Sequence, residues 1–453
     1  MNQKRFELDM CSGPLLGKTL VFALPLMLSG ILQLLFNAAD MIVVGHANGP
    51  TALAAVGATS SLINLLINLF MGLSVGANVL IAHFFAAKQE KDCKETVHTA
   101  ILVSIISGVF LAIVGIFLAR PLLVLMGTPT DVLSKSVLYM RIYFLGMPVM
   151  LLYNFGSAIL RAVGDTKRPL FYLSAAGVVN VILNLIFVLA FDMHVAGVAL
   201  ATVLSQALSA FLIVRCLVRT DGFCKLNMKA LSIQKEKLLK MVKIGLPAGL
   251  QGSLFSISNV LIQSSINSFG SVAMAGNTAS SNLEGFVYNA MNAIHQTALT
   301  FSSQNYGGKQ YKRIKKVIVL NISLVTLVGL VMGFLAILFG KPLLGLYTST
   351  PKAIEYGLVR MEIIFSTYFL CGIMDVLVGC LRGLGRSILP MIVSLLGACG
   401  FRILWIFTVF KEHRALETVY ISYPISWTLT AGVHLICLLL VIRKFPKDTT
   451  EKS

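Results

Sequence analysis

The sequence predicts an all-α integral membrane protein with about twelve transmembrane helices in two six-helix lobes related by a parallel internal repeat. Three observations carry this. The 453-residue chain is 57% hydrophobic and 12% charged, with mean hydropathy +0.84, whereas soluble domains carry roughly 25% charged residues. About twelve segments reach the roughly 20 apolar residues that a spanning helix needs. Finally, the second half repeats the first at an offset of 220–222 residues.

The first span, 17–45, is apolar but contains Pro25, which lacks an N–H and kinks a helix, and the polar series Ser29, Gln33, Asn37 and Asp40. Spaced four, four and three residues apart, these fall on one stripe of a helix with about 3.6 residues per turn. A carboxylate at the bilayer centre costs roughly 2.5–3.5 kcal/mol on insertion scales and is usually kept for an ion, a proton or a partner charge. The stripe therefore has to face protein or a wet cavity.

The second span, 52–83, carries Asn64, Asn68 and Asn78 and a GxxxG pair, Gly72 and Gly76, which allows close helix approach. Span 97–119 is strongly apolar after His98 and Thr99. Span 133–160 places Tyr139, Tyr143, Met147, Met150 and Asn154 on one broad face, suited to varied flat ligands but more often serving ordinary packing. Span 169–191 holds Asn180 and Asn184 one turn apart, with Gly177 on the same side, and 194–218 completes the first lobe, 1–218. A basic linker, 219–238, follows.

The second lobe, 239–453, opens with 239–268, which repeats Pro247 and Asn259 but has Ile262 where the first span has Asp40. Span 272–304 carries Glu284, Tyr288 and His295 on one stripe. Asn282, Asn289, Asn292 and Gln296 occupy another side, so this helix is expected to be buried between the lobes. Spans 317–340, 353–381, 387–410 and 417–442 complete the set, with Tyr368 and Asp375 seven residues apart in 353–381.

The repeat is carried by ALPLMLSGI (23–31) and GLPAGLQGS (245–253), AAKQE (86–90) and GGKQY (307–311), RPLLVL (120–125) and KPLLGL (341–346), and LRAVGDTKRP (160–169) and LRGLGRSILP (381–390). Six spans per half give both halves the same orientation, a plan used by transporters with a site near mid-membrane. It also pairs Asn154 with Asp375 and Arg141 with Glu362.

Of the 37 Lys and Arg, only Arg120, Lys135, Lys341, Lys352, Lys411 and Arg414 lie in connections on one side, while Arg141, Arg360 and Arg402 lie in spans. The remaining 28 lie in the connections and tails of the other side or in the span ends that border them. This places both termini in the cytoplasm and assigns the net charge of +18 to topology and anionic lipid heads, not to nucleic acid. Arg161, Asp165, Lys167 and Arg168 are expected to tie helix ends together. The eight cysteines show neither a disulfide framework nor zinc spacing. No HExxH, GxSxG or P-loop string is present, so no catalytic residue, metal or cofactor is assigned. An intramembrane enzyme is disfavoured on that ground, and a passive channel by the duplication.

The patterns ALPLML…LFNAADMIVVGHANGPTALAAVG (23–57), LYMRIYFLG (138–146) and LRAVGDTKRP with its echo together resemble the multidrug and toxic compound extrusion (MATE) family. The resemblance covers essentially the whole chain. It implies two six-helix lobes in a V, and export of organic, often cationic, compounds in exchange for protons or sodium ions. It also implies a cation site at Asp40, with Asn180 matching a fifth-helix asparagine; Asn184 stands where some relatives have an acid. Asp375 resembles the tenth-helix acid. The seventh-helix glutamate of relatives with a second-lobe sodium site is replaced by Ser253, Leu254, Phe255 and Ser256.

The expected function is a secondary antiporter of small organic compounds in the plasma membrane, acting as a monomer with lipid and substrate as its partners. Cation coupling is assigned to Asp40, Asn180 and Asn184, with a proton favoured over sodium because a proton needs one acid. Substrate binding is assigned to Gln33, Asn37, Asn154, Glu284, Tyr288, His295, Tyr368 and Asp375. A lipid-linked precursor flippase of similar plan is the alternative; it is disfavoured because charges within spans are expected to be mainly acidic.

Overall fold

The computed structural model describes residues 7–446, apart from the side chains at 44–54, 57–58 and 60–61. The described elements are helices, with no strand among them. In order they are α1 (Leu15–Ala86), α2 (Glu90–Leu125), α3 (Thr130–Leu145), α4 (Met147–Ala162), α5 (Lys167–Leu185), α6 (His194–Arg219) and α7 (Lys235–Asn267). Then come α8 (Ser271–Gly307), α9 (Tyr311–Leu338), the short α10 (Gly340–Gly345), α11 (Pro351–Gly383), α12 (Ile388–Ser394), α13 (Phe401–Phe407), α14 (Val409–Glu412) and α15 (Leu416–Arg443). Single π-helical turns extend α5 over Ile186–Ala190 and join α12 to α13 over Leu395–Gly400.

Nine stretches of the described chain are long and apolar enough to cross a bilayer, ten with the pair α3–α4 counted as one bent span. α7 and α8 complete the expected twelve. They have the length, 33 and 37 residues, but are rich in Ser, Asn and Gln. Burial compensates in α8, where Asn277, His295, Thr297, Gln304 and Asn305 are all buried.

The helices depart from the expected spans in three ways. The break anticipated at 46–51 is not a break in the helical backbone, because α1 is continuous over 72 residues. At 1.5 Å per residue that is about 108 Å, so α1 supplies two spans, Leu15–Val43 and Leu62–Ala86. The fourth span is not one helix: α3 and α4 meet at 48°, where Pro148 can enter only the first turn of a new helix. Helices α2 and α9 begin at Glu90 and Tyr311, six or seven residues before their apolar stretches, because hydropathy marks the lipid-facing part and not the helix end.

The chain divides into two compact units. The first holds Leu24–Ser253 with residues 7–9, the second Met10–Ala23 with Leu254 onward. This differs from the division at 218 and 239 expected from the sequence, since the first half of α7 belongs with the first unit. Glycines explain the assignment. A Cβ on Gly72 would lie 2.2 Å from the Gly249 nitrogen, and one on Gly76 would lie 2.3 Å from the Met241 oxygen. A Cβ on Gly249 would reach 2.3 Å from the Leu69 oxygen. The second span of α1 and the start of α7 therefore touch backbone to backbone, the role small residues play between membrane helices.

The connection from α6 to α7 also docks on α2. Asn227 donates its N–H to His98 Nε2 (3.0 Å), Gln234 to Thr99 Oγ1 (3.1 Å), and Lys237 pairs with Asp92. Between α4 and α5, the buried Asp165 accepts from the Arg168 backbone N–H (3.1 Å) and pairs with its guanidinium. Burial pushes the Asp165 carboxyl up, and Arg168 pulls it back. In the second unit, Arg313 clamps the tail through the carbonyls of Met10, Ser12 and Gly13 at 2.9–3.0 Å.

The duplication reaches the hydrogen bonds. Lys88 and Lys309 both have left-handed φ, 58° and 57°, and Gly164 and Gly385 have φ of 92° and 76°. Each pair is 221 residues apart. Each stands in the same turn: Gln89 N–H bonds to Phe84 O and Gln310 N–H to Asn305 O, and likewise Asp165 to Leu160 and Arg386 to Leu381. These are helix C-terminal motifs of the Schellman type, usually built on glycine.

A non-glycine residue in this conformation costs roughly 1–2 kcal/mol. Lys88→Gly and Lys309→Gly should each raise stability by up to about 1 kcal/mol, read as a higher thermal midpoint in detergent, while Lys→Ala brings no such gain. Gly72→Ala should destabilise by about 1–3 kcal/mol. Gly432→Ala, where a Cβ meets nothing within 4 Å, should be neutral or slightly stabilising in the same melt.

Candidate functional site

In the first unit a polar cluster forms where α1, α5 and α6 meet. Gly177 makes it possible, since a Cβ there would lie 1.8 Å from Phe36 Cε2. Only glycine lets the Phe36 ring lie across α5. One turn beyond Phe36 is Asp40, and two turns beyond Gly177 is Asn184, so this contact brings the two together. Asn184 donates through Nδ2 to Asp40 Oδ1 and to Asn180 Oδ1 (3.2 Å). Thr202 on α6 lies 3.5 Å from Asp40 Oδ2 and accepts from Asn180 Nδ2 at 3.5 Å. Its hydroxyl oxygen is also 3.0 Å from Val198 O, and its one proton cannot serve both. Asn184 is fully buried, and its Oδ1 has no hydrogen-bond partner among the described residues. The groups acting on Asp40 are Asn184 and Thr202, with no cation among them.

The three residues assigned to cation coupling therefore come together. Thr202 was missed. Its signal was the polar series Thr202, Ser205 and Ser209 along α6, spaced as one stripe. The first-unit residues assigned to substrate are dispersed. Gln33 and Asn37 are exposed, and half-buried Asn154 donates back to Met150 O (2.8 Å). Tyr139 and Tyr143 stack with centroids 6.0 Å apart.

The second unit contains a cavity of about 300 Å³ walled by α7, α8, α11 and α15. Glu284, Tyr288 and Tyr368 line it as assigned, joined by Arg360 and Tyr423. Arg360, 5% exposed, pairs with Glu284 and donates to Ser280 Oγ at 2.9 Å. A chain of amides runs alongside, from Asn277 to Gln263 (3.0 Å) and from Tyr420 to Asn277 (3.4 Å). Ile262, the repeat mate of Asp40, is buried in the apolar core.

His295 and Asp375 do not line this cavity. They meet each other instead, His295 Nδ1 lying 2.5 Å from the Asp375 carbonyl oxygen, and the charge facing Asp375 is Arg382. The expected acidic excess within spans also fails in this unit. Glu362 is exposed, whereas Arg360, Arg382 and Arg402 are all buried. Periodicity showed which helices carry charge but not which charges turn inward.

If Asn184 holds the Asp40 carboxylate, Asn184→Leu should lower stability by about 1–3 kcal/mol. Thr202→Val, which removes only long and shared bonds, should cost less than about 1 kcal/mol. Thermal unfolding of the two variants in detergent checks the ranking.

A duplicated bundle of polytopic helices, with a polar cluster around a half-buried carboxylate in one unit and a polar cavity in the other, is the plan of a membrane transporter. The MatE family model matches residues 25–186 and again 247–408, and the chain belongs to this family of multidrug efflux transporters. The two matches start 222 residues apart, the offset of the repeat. The chain is 29% identical over 420 residues to a probable multidrug resistance protein, YoeA, of Bacillus subtilis, covering 90% of each. It is 22% identical over 440 residues to the multidrug export protein MepA of Staphylococcus aureus, covering 97% of this chain and 96% of MepA. A crystal structure of MATE in the bent conformation superposes with TM-score 0.89 at 21% identity, covering 96% of this chain and 97% of the other.

Proposed function

We propose that the protein is a secondary antiporter that exports small organic compounds, cations among them, in exchange for protons taken up and released at Asp40. The observation that carries this reading is a half-buried carboxylate solvated by an amide and a hydroxyl, with no cationic partner among the described residues. Such a group gains or loses charge at little structural cost if its neighbours serve both forms. Asn184 does so. Its N–H donates to the carboxylate, and turning the amide over would offer Oδ1, now unpartnered, to the protonated acid. Protonation and an organic cation are then alternative ways of neutralising one site, which is the requirement for exchange. Reciprocal linkage follows, since a ligand that favours the ionised form expels the proton, and the proton expels the ligand.

Sodium is the weaker candidate. It is a hard cation that prefers several oxygen ligands, and the amide nearest Asp40 presents N–H. The plasma membrane and a monomeric state are part of the same proposal, and the asymmetric placement of Lys and Arg supports its cytoplasmic termini.

The test uses vesicles reconstituted with the full chain, loaded with a fluorescent organic cation, under a pH or a sodium gradient imposed separately. Wild type should respond to the pH gradient, and Asp40→Asn should insert normally but lose gradient-driven export. Undiminished export by Asp40→Asn, or wild-type export driven by sodium alone, contradicts the assignment.

A further inference from the structure

A groove of about 540 Å³ lies between the first turn of α1 and the start of α9. Both elements belong to the second unit, and both open a membrane span at this end, Leu15–Val43 and Tyr311–Leu338. The N-terminal tail sets their spacing. Gly13, with φ of 68°, turns the chain into α1, and Arg313 holds the carbonyls around that turn. Lys18 is spent on the same tail, donating to Ser12 O at 2.9 Å. The groove is walled by Leu15 and Leu16 from α1 and by Val319 and Leu320 from α9. Leu16 is 51% and Val319 64% exposed, so the described chain leaves the groove open.

Charge stands at one end of this apolar trough. Lys316, Val319, Leu320 and Ser323 recur at i, i+3, i+4 and i+7, which is one face of α9. Lys315, one turn before Val319, lines the groove beside Lys316. Both lysines are exposed, and neither has an ion-pair or hydrogen-bond partner among the described residues. The two segments that build the groove offer no counter-charge, since 10–23 and 285–354 contain no Asp or Glu. Lys312, Arg313, Lys315 and Lys316 thus crowd the first six positions of α9, the end where a helix dipole favours negative charge. A ligand that answers both features has an anion at one end and hydrocarbon at the other.

We propose that this groove binds an anionic phospholipid, with Lys315 and Lys316 holding the phosphate and Leu15, Leu16, Val319 and Leu320 holding the first part of an acyl chain. The lysines stand where both spans enter the bilayer, the level of the lipid headgroups, and the apolar walls continue inward from them. A second copy of this chain would bring its own lysines against these, and a free phosphate would leave the walls uncovered. The site uses no residue of the exchange at Asp40 and stands apart from it.

Binding is measured by native mass spectrometry on the purified full chain, titrated in detergent with dioleoylphosphatidylglycerol or dioleoylphosphatidylcholine. The two lipids share their chains and differ in net charge. The first phosphatidylglycerol should bind at least about tenfold more tightly than phosphatidylcholine. Lys315→Gln combined with Lys316→Gln should reduce that preference to about twofold or less. Lys229→Gln combined with Lys235→Gln, at two exposed lysines of the other unit, should leave it intact, which a general attraction to basic surface would not. Val319→Trp, which fills the groove without changing charge, should weaken phosphatidylglycerol about fivefold or more. Glycerol 1-phosphate, which has no chains, should not displace the lipid at equal concentration. Equal binding of the two lipids by wild type, equal loss in both lysine pairs, unchanged affinity in Val319→Trp, or displacement by glycerol phosphate overturns the proposal. If the Lys315 and Lys316 double variant does not run as a single species on gel filtration, the Val319→Trp comparison decides.

Discussion

A carboxylate placed inside a membrane has only the protein to solvate it, and in the first unit that task falls to three side chains. The amide of Asn184 and the hydroxyl of Thr202 face Asp40, and Asn180 bonds to both of them from behind. Each depends on helix geometry set elsewhere. Gly177 gives Phe36 room to cross α5, which fixes the height at which Asp40 meets Asn184. α6 then brings Thr202 to the other carboxylate oxygen. Had α5 carried alanine at 177, the first helix could not lie so close and the carboxylate would lose its donor. Packing and chemistry are thus the same constraint seen at two distances.

Duplication supplied the scaffold, and divergence supplied the function. The turns at Lys88 and Lys309, and at Gly164 and Gly385, keep the same backbone conformation and hydrogen bonds in both halves. The chemistry has separated. Where the first unit has Asp40, the second has Ile262 in its apolar core, and its charges have moved to α8, α11 and α13. One unit offers a lone acid among neutral donors. The other offers a cavity whose arginine, Arg360, is paired with Glu284. Two units built alike in this way carry different charged groups.

Much of this was legible in the chain. Apolar segments of spanning length, the repeat at 220–222 residues and the stripe ending in Asp40 required only composition and periodicity. Asn180 and Asn184 stood out as adjacent amides on one turn of an apolar span. What escaped was of another kind. Thr202 is small and common in membrane helices, and its meaning depends on a helix 162 positions away in sequence from its partner Asp40. The pairing of Glu284 with Arg360 likewise joins two spans whose relative height no local pattern encodes. Hydropathy cannot see that Arg402 faces inward while Arg141 is exposed, nor that the fourth span breaks at Gly146 to Pro148. The docking of the first half of α7 in the first unit follows from backbone contact between glycines, which the GxxxG pair suggested without naming its partner.

The account turns on whether Asp40 carries an exchangeable proton that an organic cation displaces. Adding such a cation to weakly buffered protein in detergent, with a pH indicator present, measures this directly. The account predicts proton release from wild type in proportion to cation bound, and none from Asp40→Asn. Equal release from both proteins, or cation binding by wild type with no release at any pH where it binds, would contradict it.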